Sequence, residues 1–329
     1  MKMKYKLSVV TTTYNQERFI EQCLKGIVNQ KTTFPFQLII SDDGSTDNTR
    51  NIIRKYQKKY PDIIKPIFRE KNLGPMRNFV ETLNEAHTEY VALCDGDDYW
   101  TDNNKLQMQV DFLEKNKEYT ICFHKNKIIY DDNSKEPDVY PKEMKETLTI
   151  EDLYKINFMT ANTVVYRWAF KNKNSFKNIF PSNVRPGDYF AHLYHAKIGK
   201  IHYIDKEMSC YRIQSESMTY GSNKQDLKID YYKKHGLEMI NFYDQTEKIL
   251  KINNEDYTNV KKWLIRETLN SAIIRNDKEL ISKILNKYYI KYPDTYYDCI
   301  KHKNPFKFLK CYFRTHKIIK EIEDSNDKK

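Results

Sequence analysis

The sequence predicts an α/β protein, a mostly parallel sheet with helices on both faces followed by a helical C-terminal region. Two observations predict it. From Leu7 to Cys94, short β-branched runs alternate with stretches of helical periodicity, and such βαβα alternation lays strands parallel through crossover helices. Beyond Gly221-Ser222-Asn223 the helical spacing dominates, as in Trp263, Leu264, Leu269, Ile273 and Ile274. A boundary there separates residues 1–222 from a helical region, 223–329.

Taken in order, Leu7 to Thr13 is short and β-branched and reads as the first strand. Phe19, Ile20, Cys23, Leu24, Ile27 and Val28 then recur at helical spacing. Phe36 to Ser41 is the second strand, and Ile52, Ile53, Tyr56 and Tyr60 mark the second helix, with Ser45, Thr46 and Asp47 as cap chemistry. Ile63 to Phe68 is the third strand. Pro75 opens a third helix bearing Met76, Phe79, Val80 and Leu83. Tyr90 to Cys94 is the fourth strand. From Tyr119 the pattern loosens into strand-like runs, Tyr119 to His124 and Ala161 to Arg167, separated by polar loops.

Composition narrows the class. Hydrophobic residues make up 40% and charged residues 31%, a globular balance rather than a disordered one. The net charge of +11 favours anionic partners: nucleic acid, anionic lipid or phosphorylated small molecules. No RNA or DNA motif accompanies it, so nucleic acid is not expected. The cysteines Cys23, Cys94, Cys122, Cys210, Cys299 and Cys311 form no CxxC pair, and those at 23, 94 and 122 lie in apolar runs, as buried free thiols of a reducing compartment do. No stretch approaches the ~18 apolar residues of a membrane span, so a cytoplasmic location is expected.

Ligands of open α/β sheets bind beyond the carboxyl ends of the strands. There the second strand runs into Asp42-Asp43-Gly44-Ser45, the fourth into Asp95-Gly96-Asp97-Asp98, and the first into Thr13-Tyr14-Asn15. Three carboxylates within four residues repel one another unless a cation sits among them. Hard divalent cations take such oxygen ligands together with substrate phosphates. Gly96 would let the backbone turn and a ligand approach closely. Taken alone, the cluster reads more simply as a solvated acidic turn.

Four segments occur in order: Ser8 to Asn15, Ile40 to Asp47, Asn72-Leu73-Gly74 leading to Arg77-Asn78, and Asp95 to Trp100. Together they resemble the glycosyltransferase family 2 pattern over about residues 5–220. The resemblance implies the GT-A fold, a Rossmann-like mixed sheet flanked by helices, and transfer of a sugar from a nucleotide-diphosphate donor, UDP-linked, to an acceptor hydroxyl. It implies that Thr12, Tyr14, Asp42, Arg77, Asp95 and Arg212 bind the nucleotide-sugar, that Asp97 and Asp95 hold Mg2+ or Mn2+ with Asp98 behind them, and that Asp188 is the general base. Tyr14 matches the aromatic that stacks on the base, and Asp42 the carboxylate that accepts its N–H. Each has a plainer alternative: a packing tyrosine at 14, a turn residue at Asp43, a surface charge at 77, a helix cap at 188. Gln214 departs from the family's Tyr-Arg-x-His segment, which puts an imidazole contact there in doubt. His192 and His195 are read as ordinary helix residues rather than metal ligands.

One base with no second carboxylate as nucleophile predicts inversion at the anomeric carbon. The resemblance also implies a saccharide or lipid-linked saccharide acceptor in cell-surface polysaccharide or lipopolysaccharide assembly. Two alternatives stand beside this: a nucleotidyltransferase, which the glycine-free Thr11 to Asn15 turn disfavours, and a catalytically inactive binding or scaffold protein, which the presence of Asp97 and Asp188 disfavours. Residues 301–320 carry seven Lys or Arg, from Lys301 to Lys320, interleaved with Phe306, Phe308, Leu309, Tyr312, Phe313, Ile318 and Ile319. Such a basic amphipathic tail either docks on an anionic membrane, here the inner face of the cytoplasmic membrane, or packs on the helical region or a second subunit.

Overall fold

β1 (Leu7–Thr13) is apolar and β-branched on both faces, so it is stable only where helices cover both sides of the sheet. It pairs in parallel with β2 (Phe36–Asp42) on one side and β4 (Tyr90–Leu93) on the other. The register sets Thr13 opposite Asp42, so both strands release the chain on the same edge. A computed structural model describes residues 4–170, 179–180, 187–214, 225–288 and 291–292. The chain divides into two compact units, Met1–Ser215 and Glu216–Lys329. The expected 222/223 boundary and the basic tail lie outside the described residues.

In the first unit, β3 (Ile64–Phe68) extends the parallel set. Beyond β4 the sheet becomes mixed, in the order β3-β2-β1-β4-β9-β6-β10-β5. β9 (Val165–Arg167) runs antiparallel between β4 and β6 (Tyr119–Tyr130). β10 (Lys200–Ile213) runs parallel to β6, and β5 (Tyr99–Trp100) closes the edge antiparallel to β10. β7 (Asp138–Tyr140) pairs with β6 and β8 (Thr147–Leu148) with β10. The parallel pairing read from the βαβα alternation holds for β1 to β4, and the rest makes the whole the mixed sheet that the family resemblance implies. A strand over Ala161 to Arg167 is corrected. Ala161–Thr163 is a 3-10 turn in which Val164 N–H bonds the Ala161 carbonyl, and buried Asn162 spends its amide on the Cys210 carbonyl at 3.0 Å.

α1 (Ile20–Val28) buries Ile20, Cys23, Leu24 and Ile27, the i, i+3, i+4, i+7 stripe of a helix on a sheet. α2 (Thr49–Lys59), α3 (Pro75–Leu83), α4 (Lys105–Lys115), α5 (Ile150–Lys155) and α6 (Gly187–Ile198) complete this unit. Cys23, Cys94, Cys122 and Cys210 are buried free thiols, as the apolar runs around the first three predict. α1 touches β5 through Gly26, where an added Cβ would lie 2.7 Å from the Trp100 carbonyl oxygen and 2.9 Å from its nitrogen. Alanine would gain about 1 kcal/mol of helix propensity. The obstacle is backbone already fixed in a strand, so overpacking of up to about 3 kcal/mol wins. Gly26→Ala is therefore expected to lower the melting temperature by roughly 2–6 °C, read by thermal denaturation. An unchanged or higher melting temperature would mean that α1 shifts freely.

The second unit contains the antiparallel helices α7 (Gln225–Leu250), α8 (Glu255–Ile274) and α9 (Lys278–Tyr288). Asn254 caps α8 by accepting the Tyr257 N–H at 3.1 Å. α7 and α8 approach closely where Gly236 faces Thr268, whose Cβ would lie 2.8 Å from an added Cβ. Lys261, fully buried on α8, is paired with Glu247 and with Asp244 at 3.4 Å, as a buried cation requires. Among the described residues, no helix is long and apolar enough to cross a membrane.

Candidate active site

Three loops leave the carboxyl ends of β1, β2 and β4 together, and short polar side chains stitch the first two. Asn15 turns the chain after β1 at φ 50°, a left-handed conformation that asparagine tolerates better than most residues. Its N–H bonds Ser45 Oγ at 2.9 Å, and its side-chain oxygen takes the Thr46 N–H at 2.9 Å. Asp47 takes the N–H of Glu17 at 3.0 Å and that of Thr49 at 3.0 Å, while Glu17 takes the N–H of Asn48 at 2.8 Å. Of the three residues expected to cap α2, only Asp47 bonds a backbone N–H of that helix. The Ser45 hydroxyl and the Thr46 N–H instead hold the first loop to the second.

Gly44, at φ 83°, lets this second loop turn tightly against Asn72, whose nitrogen would lie 2.8 Å from a Cβ. Asp43 stabilises the same contact by accepting the Leu73 N–H at 2.8 Å, so it serves the turn. Asp42 is wholly buried, with one oxygen taking the Ser45 N–H at 3.1 Å and the Arg50 guanidinium at 2.5 Å. Its other oxygen is buried without a hydrogen-bond partner. Arg77 lies on α3 with its side chain 67% exposed, its guanidinium held by Glu81 one turn on at 2.9 Å. Tyr14 stands 45% exposed at the end of β1, an unusual position for a large aromatic and one open to a planar ligand.

The β4 loop gathers the carboxylates. Asp95 accepts the Thr12 hydroxyl at 3.0 Å. Burial pushes its pKa up to about 7, with the charges of Asp97 and Asp188 adding to the rise and Thr12 opposing it. Burial also raises Asp97, against which work the Gln214 amide at 2.7 Å, the Arg212 charge and the Gln16 amide. Asp98 is buried, pushed well above the usual carboxylate range, and takes the Arg212 N–H at 2.9 Å. Arg212 brings β10 to this turn: its Nε donates to the Asp97 carbonyl at 3.0 Å, its Nη2 to Gln22 at 2.9 Å, and its guanidinium lies 4.5 Å over the Phe19 ring.

Gly96 is needed for a reason other than the expected one. Its φ is not left-handed. Instead, a Cβ there would meet the Thr13 side chain at 2.9 Å and the Gln16 amide. Thr13 Oγ donates to that amide oxygen at 2.7 Å, leaving the Gln16 NH2 group as the donor toward Asp97. Gln16 was not legible as a site residue, because nothing in an isolated glutamine signals a partner eighty residues away. Its position directly after Tyr14-Asn15 is the only hint.

Asp188 opens α6, which packs on α3 because Gly187 leaves room for Met76 and Phe79, atoms of which would lie 2.7 and 3.0 Å from a Cβ. Its carboxyl accepts backbone N–H bonds at the helix start, while burial raises its pKa. Its charge is felt at Asp95, so the helix start lies within electrostatic reach of the β4 loop. His195 is structural: its Nδ1–H bonds the Ala191 carbonyl at 2.8 Å, its Nε2 accepts the Ala169 N–H at 3.3 Å, and its ring lies 5.1 Å from Trp168. The structure thus gathers Thr12, Asp95, Asp97, Asp98, Arg212 and Asp188. Arg77 is turned to Glu81.

The donor set tests the metal expectation. Among the described residues no group of three or more His, Cys, Asp or Glu side chains is arranged to hold an ion. A divalent ion that shares substrate phosphates needs only one or two carboxylates, and Asp97 and Asp95 are oxygen donors whose pKa values burial raises, with the Asp97 charge adding to the rise at Asp95. The residues therefore fit Mg2+ or Mn2+.

A mixed sheet whose fourth strand delivers a carboxylate cluster within electrostatic reach of a helix-borne Asp is the arrangement of a GT-A glycosyltransferase. Residues 8–172 match the model of Glycosyl transferase family 2. The chain is 36% identical over 269 residues to the uncharacterized protein Rv1520 of Mycobacterium tuberculosis, covering 79% of this chain and 74% of that one. The S. aureus TarS 1-349 structure in complex with UDP-GlcNAc is similar with a TM-score of 0.52 at 20% identity, over 98% of this chain and 92% of that one. The mannosyltransferase PcManGT from Pyrobaculum calidifontis, in complex with GDP-Man and Mn2+, is similar with a TM-score of 0.51 at 12% identity, over 95% and 88%. The chain belongs to glycosyl transferase family 2 and is a glycosyltransferase.

Proposed function

We propose that this glycosyltransferase inverts the anomeric carbon of a UDP-linked sugar, transferring it to a saccharide or lipid-linked saccharide hydroxyl in cell-surface polysaccharide assembly. The observation that carries the mechanism is that Asp95 lies within electrostatic reach of both Asp97 and Asp188. Tyr14 stacks on the base, and the unpartnered oxygen of Asp42 is the acceptor left for its N–H. Arg212 fixes the β4 turn through the Asp97 carbonyl and is the cation assigned to the diphosphate. Asp97 and Asp95 would hold Mg2+ or Mn2+, which when bound supplies charge to neutralise the leaving diphosphate. Asp188 takes the acceptor proton as the acceptor oxygen bonds to the anomeric carbon, and the bond to the diphosphate oxygen breaks with its electron pair. A raised pKa makes Asp188 a stronger base than a solvated carboxylate.

The UDP-GlcNAc and GDP-Man complexes of the two similar structures support a nucleotide-diphosphate sugar, and the Mn2+ of the second supports the ion. Turnover and thermal shift with UDP-GlcNAc, UDP-glucose, UDP-galactose and GDP-mannose, each with Mn2+, test the reading. A UDP-sugar is expected to turn over with inversion. Retention of configuration, or turnover confined to GDP-mannose, would overturn the corresponding part.

The carboxylates also predict a pH dependence. Asp95 keeps its proton to about pH 7 when folded and loses it near 3.9 when unfolded, so the folded chain binds more protons in between. Stability without metal is full below the unfolded value and is lost as pH rises through about 7. A divalent ion competes with that proton. The melting-temperature gain from Mn2+ plus UDP is therefore expected to be larger at pH 8 than at pH 6. A gain independent of pH would remove Asp95 from the ion's surroundings.

A further inference from the structure

One helical turn after Asp188, His192 sits fully buried on the same face of α6. Its Nδ1 lies 2.6 Å from Tyr166 Oη on β9. Its Nε2 has no hydrogen-bond partner and lies 3.9 Å from Asp188 Oδ2, while the Asp188 side chain keeps 27% of its surface open. We propose that His192, backed by Tyr166, is a positioning residue for Asp188: its Nε2–H holds one carboxylate oxygen and leaves the other for the acceptor proton. This rests on the reading of Asp188 as the base.

The tautomer follows from the neighbours. Burial and the nearby His195 lower the His192 pKa to about 3, so the ring is neutral and carries one proton. With that proton on Nδ1, the Nε2 lone pair would face a carboxylate in a dry site. With it on Nε2, Tyr166 donates its hydroxyl proton to Nδ1 and the N–H faces Asp188. The second arrangement leaves every group paired with an opposite partial charge. The groups facing the imidazole are Tyr166 and His195 on one side and Asp188 on the other, with Asp95 beyond. A 3.9 Å separation leaves the contact to tighten as the carboxylate ionises, as catalytic hydrogen bonds do between the free enzyme and its complexes. His192 keeps its own proton throughout.

The signal is the geometry of α6 against β9, across a sequence separation of 26 between His192 and Tyr166.

Two measurements test this. In the full chain labelled with 15N-histidine, long-range proton–nitrogen correlation reads the His192 tautomer, with His192→Gln assigning the resonance. A neutral Nε2–H form at pH 6–8 that shifts in Asp188→Asn is expected, and an Nδ1–H form, or one blind to Asp188→Asn, would overturn the proposal. In turnover with the UDP-sugar and Mn2+, His192→Phe is expected to lower kcat about 10- to 50-fold with donor KM within about twofold, and to move the acid limb of the kcat profile upward. His192→Gln, which can still donate, should recover most of the loss. Wild-type kcat in His192→Phe, or equal losses of kcat and melting temperature in both variants, would make the residue merely structural. If Asp188→Asn itself keeps full turnover, the base assignment fails. If Asp188→Asn is inactive while His192→Phe is normal, only the positioning role fails.

Discussion

Asp97→Asn is expected to abolish most turnover, by about 10²- to 10³-fold or more, while the fold stays as stable as before or gains. The two directions have one cause. Asp97 adds negative charge to a buried set that already raises its neighbours' pKa values, so removing the charge relieves the unliganded protein above the carboxylate range. The asparagine oxygen still accepts from the Gln214 amide that holds Asp97 at 2.7 Å. What is lost is the oxygen anion that, with Asp95, would hold the divalent ion against the diphosphate. Turnover, UDP titration in the presence of Mn2+, and thermal melting at pH 8 check the three parts. Wild-type turnover with Mn2+ present would remove Asp97 from the chemistry. A lower melting temperature would show that its charge is stabilising instead.

Asp188→Asn is expected to reduce kcat by about 10²- to 10⁴-fold and to leave UDP affinity within a few-fold of wild type. Asparagine keeps the oxygen that accepts backbone N–H groups at the start of α6, so the helix stays capped. It cannot take the acceptor proton. Because burial raises the Asp188 pKa, wild-type activity should increase with pH along an acid limb lying above the usual carboxylate range, and the variant's residual activity should lack that limb. Calorimetric titration with UDP and Mn2+ separates this from a binding role. A large loss of UDP affinity would make Asp188 a donor ligand or a cap.

Much of this architecture was legible because its strands are buried on both faces. β1, β2 and β4 read as short β-branched runs, and α1 and α3 as helical stripes. β10 did not. It breaks register with β6 between Ile204 and Ser209, where Asp205, Lys206 and Glu207 are exposed, and a bulged, solvated stretch shows neither alternation nor an apolar run. The site divides in the same way. Asp95, Asp97 and Asp188 sit beside glycines and strand ends, which mark the chain locally. Gln16, Gln22, Tyr166 and His192 act through partners brought near only by the fold. Arg77 shows the converse: it stands in a motif legible in the sequence, but Glu81 four residues on captures the guanidinium at 2.9 Å.

The bonds among Asn15, Glu17, Ser45, Thr46 and Asp47 bear on how a ligand is received. Ordering a free loop residue costs about 1–2 kcal/mol of conformational entropy, and these two loops have met that cost during folding. Association at the Tyr14 side then spends little of its interaction energy on immobilising the receptor there. Ser45→Ala and Asp47→Ala variants would restore the cost at the moment of capture. Their affinity should fall through a less favourable binding entropy while the contacts to the ligand stay the same.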